Sequence, residues 1–365
     1  MVRRTLIYTY MGIYLIFGAG TTIIIKQMDM ITIKDHNFAH PYIQCTNLFL
    51  GEALCLLIYM TYKSIKRFRN RALKYKHLHR SGSKTLSKFY EKLGVLSFGI
   101  PGILYVFSIY LMFIGLALSA PSVYQIIRGV ITLPVLIFSL IFLRRRFYRH
   151  HYLGIFLLLL GVTIVAVDSI IEKSTSSSDP LIGGIVLIIS QLIAGGVFVY
   201  EEYLMSKMFV EPIQAVGVEG FVGLILSVLV LIVLNFIPCE NKDFCYGGRV
   251  ENTMQVVGDI LENTMLLILF VSSFFVITVL YWAGIYTTRY ASALTRATLD
   301  SARIVVVWIY SIIVGWETVL WVEIIGFGFV VFGTLVYNEI VIIPCFGFKE
   351  SVEQHRLEAN YTPDI

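Results

Sequence analysis

Residues 263–287 read NTMLLILFVSSFFVITVLYWAGIYT, and residues 291–314 read ASALTRATLDSARIVVVWIYSIIV. The first stretch runs twenty-five positions without Asp, Glu, Lys or Arg. At about 1.5 Å of rise per residue, such a helix is long enough to cross a hydrocarbon layer of about 30 Å. Its polar residues do not alternate as a barrel strand requires, so an α-helix is the way to satisfy its backbone in lipid. Similar apolar runs recur outward from it. They predict spans near 5–25, 41–62, 93–115, 119–143, 150–170, 180–205, 212–237, 263–287, 291–314 and 318–343. Composition agrees: 57% of the 365 residues are hydrophobic, 15% are charged and the mean hydropathy is +0.77. A soluble surface of this size needs far more charge. The expected fold class is all-α integral membrane, with ten transmembrane helices. Pro101 and Pro134 are expected to bend their helices. The run that follows Met1-Val2-Arg3-Arg4 lacks a small-residue cleavage site and reads as a retained span.

Charge placement orients the chain. Of 29 Lys and Arg, eleven lie in 63–92 and four in 144–149. With ten spans, 21 fall on the side of the two termini and five (Lys26, Lys34, Lys173, Lys242 and Arg249) on the other. The positive-inside rule then puts both ends on the cytosol-equivalent side. The basic residues follow spans and sit on no nucleic-acid module, so no nucleic-acid partner is implied. Cys239 and Cys245 share the loop 238–262 on the opposite side and are candidates for a disulfide if that compartment oxidises.

The segment Glu172–Asp179 is a low-complexity linker. It separates a first five-helix repeat, 1–171 with the basic loop 63–92, from a second, 180–344 with the loop 238–262; 345–365 forms a cytosolic tail. An ungapped offset of 172 aligns Gly154 with Gly326, Gly161 with Gly333, Ser139 with Ser311 and Arg128 with Asp300. Two repeats of five helices must lie in opposite orientations, the pattern of secondary transporters with a site near the midplane.

Ionisable residues inside spans cost on the order of 3 kcal/mol each unless paired or wet. Glu52, Arg128, Glu219, Arg296, Asp300 and Arg303 fall there, and Lys26 closes the first span. Tyr124 and Gln125 share the helical face of Arg128, and Asp300 can reach Arg296 at i−4 or Arg303 at i+3. These nine residues are the expected substrate-binding set; structural ion pairing is the competing account. Arginine's fit to carboxylate and phosphate favours an anionic solute.

Other motifs carry less. The glycines of the spans permit close helix contact. Gly18-x-Gly20 follows no strand, so no dinucleotide site is expected. His36 and His40 lack a third ligand, and His150-His151 read as interfacial. No metal and no cofactor are implied. No nucleophile–base constellation supports an enzyme.

Several stretches resemble the F subgroup of the solute carrier 35 family. They are His40-Pro41-Tyr42-Ile43-Gln44 with Leu50-Gly51-Glu52 and Cys55; Tyr124-Gln125-Ile126-Ile127-Arg128-Gly129; Ser292-Ala293-Leu294-Thr295-Arg296 through Asp300, Arg303, Trp308 and Gly315-Trp316-Glu317; and Tyr337-Asn338-Glu339. Lys26 with Asp29 fits too. The resemblance spans roughly 5–343. It implies the drug/metabolite transporter fold of two inverted five-helix repeats. It also implies a central cavity to which Lys26, Tyr124, Gln125, Arg128, Arg296 and Asp300 would contribute. Such a relationship implies an endolysosomal or Golgi-type membrane, with the mitochondrial inner membrane as the alternative. The expected function is a secondary transporter of a small anionic metabolite, working by alternating access in contact with membrane lipids. The alternative is a transporter-derived structural or regulatory subunit. The long basic loop and the tail leave room for a homodimer or larger membrane complex.

Overall fold

The computed structural model describes residues 2–33, 36–38, 40–74, 94–118, 127–172, 180–208, 210–238, 248–316, 320–344 and 347–361. Tyr124, Gln125, Cys239, Cys245, most of the linker and the basic residues 75–93 lie outside them, so the expectations placed there are not addressed. Twelve helices and one short hairpin run through the described residues. The helices are α1 Val2–Asp29, α2 Pro41–Lys74, α3 Gly99–Leu118, α4 Thr132–Ile141, α5 Arg149–Glu172 and α6 Pro180–Lys207. They continue as α7 Pro212–Phe236, α8 Thr253–Glu262, α9 Thr264–Tyr290, α10 Ala293–Ile313, α11 Trp321–Tyr337 and α12 Phe348–Tyr361. Strands β1 (Thr32–Ile33) and β2 (His36–Asn37) pair antiparallel, so His36 and His40 do not share a helix.

Six helices are long and apolar enough to cross a membrane, over Thr5–Asp29, Pro41–Arg67, Gly94–Leu116, Leu181–Lys207, Pro212–Phe236 and Thr264–Tyr290. Three shorter apolar stretches, Ile127–Ile141, Arg149–Val165 and Trp321–Tyr337, fall on the fourth, fifth and tenth expected spans. Helix α10 falls on the ninth, and Arg296, Asp300 and Arg303 set its composition apart. The chain is thus an all-helical, multi-pass membrane protein.

Three stretches gain local detail. The second helix does not stop at residue 62 but continues to Lys74, because Lys and Arg are good helix formers once the chain leaves lipid. The loop 238–262 contains α8, capped by Asn252, and the tail contains α12. At each of the two prolines the helical ladder is interrupted just upstream. Pro134 cannot donate to the Val130 carbonyl, which takes the Leu133 amide at 2.9 Å instead. Pro101 does the same to Ser97, which takes the Ile100 amide at 3.2 Å.

The chain forms two compact units. Unit one comprises Met1–Ala19, Phe107–Ser206 and Thr287–Ile365; unit two comprises Gly20–Val106 and Lys207–Tyr286. Each draws on both sequence halves. Unit one is organised around α5 and α11, which pack antiparallel through glycines. A Cβ on Gly154 would stand 2.9 Å from the Gly333 carbonyl oxygen, and one on Gly333 would stand 2.6 Å from the Gly154 oxygen. Gly161 and Gly326 meet in the same reciprocal way, with a Cβ on Gly326 falling 3.0 Å from the Gly161 oxygen. Gly328, on the same helix, has open space where its Cβ would be and makes no such contact. Leu158, Val162, Ala302, Val305, Phe327 and Val330 fill the core beside this pair.

Unit two is organised around α2 and α7, also antiparallel: Gly217 lies on Leu56, Gly220 on Glu52 and Ala53, and Gly223 on Phe49. Gly51 lets α2 approach the Phe274 carbonyl of α9, where a Cβ would come within 2.9 Å. Thr278 donates to the Gly51 carbonyl at 2.9 Å, and Asn47 donates to the Ser273 hydroxyl at 2.7 Å. At one end of this unit, Met28, Ile33, Phe38, Val256, Ile260 and Leu266 form an apolar cluster joining the hairpin to α8. His40 and Glu251 pair beside it at 2.9 Å.

Candidate functional site

The site grows from the N-terminus of α10. Ser292 caps the helix by accepting the Thr295 amide at 2.9 Å, and Glu202 of α6 accepts the Ala293 amide at 2.7 Å. Two of the amides that a helix start leaves without partners are thereby satisfied, and α10 is tied to α6. Arg145 pairs with the other oxygen of Glu202. The cap sets the rotation of α10, so that Arg296, Asp300 and Arg303 project on one face at i, i+4 and i+7. Elsewhere on the same helix, Ser301 donates to the Gly129 carbonyl at 2.9 Å and lies 3.1 Å from the Thr132 hydroxyl.

The charged face meets α1 and α6 in a ladder. Arg296, 3% exposed, pairs with Glu201 at 2.5 Å. Its guanidinium lies 4.2 Å from the Phe198 ring centroid and 5.9 Å from that of Tyr14. Aromatic faces beside a buried cation supply attraction that lipid lacks. The Tyr14 hydroxyl donates to Asp300 at 3.1 Å, and Arg303 reaches the same carboxylate at 3.1 Å. Asp300 therefore bonds Arg303 and Tyr14, while Arg296 takes its acid from another helix. The Asp300 and Arg303 side chains keep 12% and 11% exposure, against 2% and 4% for Glu201 and Arg296. The ladder has a sealed end and an end with residual access.

The expected residues divide between the units. Arg128, half-buried, Arg296, Asp300 and Arg303 belong to unit one. Lys26, half-buried, and Glu52 and Glu219, both buried, belong to unit two. Glu52 lies at the α2–α7 crossing, and a Cβ on Gly102 of α3 would stand 2.5 Å from the Glu219 carbonyl oxygen. Glu201, Tyr14 and Phe198 are the members of the ladder outside the expected set. The only signal of the two rings was an aromatic in an apolar helix, and 14% of the chain is aromatic.

No family model matches the chain. A full-length likeness is nonetheless clear. Solute carrier family 35 member F6 of Rattus norvegicus is 27% identical over 336 residues, 90% of this chain and 87% of that protein. The CMP-sialic acid transporter 4 of Arabidopsis thaliana is 24% identical over 182 residues, 49% of this chain and 50% of that protein. One solved crystal structure shares the fold, with a TM-score of 0.60 at 12% identity, covering 92% of this chain and 98% of its own. The helices thus define a multi-pass membrane protein, and its full-length relatives are solute carriers. More particularly, the chain is similar over 90% of its length to member F6 of solute carrier family 35, and over about half of it to a CMP-sialic acid transporter.

Proposed function

We propose that this protein is a secondary transporter of a small anionic metabolite in an intracellular membrane. Two inverted five-helix halves, ten spans in all, alternate access to a site that includes the ladder on α10. What supports an anion is the arginine at the accessible end of the ladder: the Arg303 and Asp300 side chains keep 11% and 12% exposure, against 4% and 2% for Arg296 and Glu201. A carboxylate or phosphate suits that guanidinium. The relative named for CMP-sialic acid handles a solute that carries both groups.

The inverted arrangement draws support from the glycines of α5 and α11. Gly154 and Gly326 are equivalent by the offset of 172, as are Gly161 and Gly333, yet the contacts run Gly154 to Gly333 and Gly161 to Gly326. Each residue meets the counterpart of its helix-mate, which is how a two-fold axis pairs surfaces. Ser301 and Gly129, bonded to each other, are themselves 172 apart, as expected for positions beside such an axis.

In this mechanism the Glu201–Arg296 pair is fixed and the Asp300–Arg303 pair is the exchangeable one. An incoming anion takes Arg303 from Asp300, and Tyr14 keeps a hydrogen bond on the released carboxylate. The test is uptake of candidate anions into proteoliposomes, with and without a pH gradient. Arg128→Ala and Arg303→Gln are expected to cut uptake at least about tenfold, on the scale of one lost charge-assisted hydrogen bond. Normal uptake of every solute by both folded variants would remove the arginines from the mechanism.

A further inference from the structure

A second constellation lies away from the ladder, where α5 begins, α11 ends and α12 packs against α5. His150 and His151 open α5, Glu339 follows α11, and His355 sits on α12. One ligand-capable atom from each falls within 4.8 Å of all the others. We propose that these four side chains form a binding site for a divalent transition-metal ion, zinc first, which clamps the C-terminal helix to the bundle.

The donor set is the first reason. Three imidazoles and one carboxylate are borderline ligands suited to zinc, and four protein ligands make a closed, structural tetrahedron. Bonds of about 2.1 Å in that geometry put ligand atoms roughly 3.4 Å apart. His150 Nε2 and Glu339 Oε1 are already 3.6 Å apart, too far for a hydrogen bond and close to the edge of a tetrahedron.

Orientation is the second reason. His150 is 2% exposed, and its Nε2 is a buried nitrogen with no hydrogen-bond partner. Its other nitrogen, Nδ1, is held by the Ser351 hydroxyl of α12 at 3.0 Å. A hydroxyl accepting from Nδ1–H leaves the Nε2 lone pair aimed at the cluster, the usual outer support of a metal-bound histidine. Glu339 is held similarly: Arg356 Nε donates to Oε2 at 2.8 Å, leaving Oε1 toward His150 and His355. A metal would replace the proton shared between His355 and Oε1.

Packing is the third reason. The His150 and His151 rings have centroids 4.0 Å apart, and His151 and His355 are 4.9 Å apart. The Tyr148 amide donates to His151 Nδ1 at 3.2 Å, a bond that ligation by this ring would displace. This site stands whatever solute the protein carries.

The experiment uses the full-length protein in detergent, stripped with chelator, then titrated with zinc alone and with cobalt as a spectroscopic reporter. Expected are one ion per chain, a tetrahedral cobalt spectrum and a higher unfolding temperature. His355 is 40% exposed on a terminal helix, so His355→Ala is expected to fold. It should lose at least about 100-fold in zinc affinity, and Ser351→Ala, which touches no metal, about tenfold. Folded wild-type protein that takes up no zinc overturns the proposal, as does His355→Ala binding zinc with wild-type affinity.

Discussion

Arg296 and Arg303 sit two turns apart on α10, and their surroundings give them different costs of removal. Arg296 and Glu201 are nearly sealed, so truncating one leaves a bare charge without water to solvate it. Arg296→Ala should destabilise the protein by about 3–5 kcal/mol, and adding Glu201→Leu to Arg296→Met should restore most of that. Thermal unfolding in detergent measures both; a lone Arg296→Ala as stable as wild type would mean that the pair is not buried as described. Arg303→Ala should cost less, because Asp300 keeps Tyr14 and some access to water. Arg296, Asp300 and Arg303 were legible in the sequence, since charge in an apolar helix draws attention by its cost. Their partners were not. A carboxylate one turn away and one on another helix look alike until the helices are packed, and Asp300 turned out to serve Arg303 while Glu201 serves Arg296.

At the scale of the helix, glycines of one type divide by what faces them. A Cβ on Gly333 would lie 2.6 Å from both the Gly154 oxygen and the Leu158 nitrogen, and backbone atoms cannot rotate away. Gly333→Ala should therefore cost about 1–3 kcal/mol by overpacking. Gly328, five residues earlier on α11, faces open space, so Gly328→Ala should be neutral or stabilise by up to about 1 kcal/mol through helix propensity. Equal unfolding midpoints for the two variants would contradict the α5–α11 packing. The start of α10 offers a separate check. Ser292→Ala removes an acceptor from the Thr295 amide and should cost about 1 kcal/mol, and it should also lower transport by letting the arginine face rotate. The role of Glu202 at the same helix start was not legible along the chain, because it comes from 91 residues away.

For the whole molecule, the charge asymmetry yields a topological prediction. Tags at the two ends should be accessible from one face of a sealed vesicle together, and a protease site placed in 75–93 should be cut from that same face. A glycosylation acceptor inserted in 239–247 should be modified during passage through the secretory membranes, and one in 75–93 should not. Accessibility of the two ends from opposite faces would mean an odd number of spans and would break the inverted repeat.

The chain alone determined its solvent, its helical class, its approximate spans and which polar residues needed an explanation. Each follows from local arithmetic: the length of an apolar run, the price of a charge in oil, the 3.6-residue turn. Packing decided what arithmetic along one helix cannot reach. It chose which acid faces which arginine, which glycines are crossings and which are bystanders, and it gathered His150, His151, Glu339 and His355 from the start of α5, the end of α11 and the middle of α12 into one cluster. Those outcomes depend on distances between segments up to about two hundred residues apart, which hydropathy along the sequence does not encode.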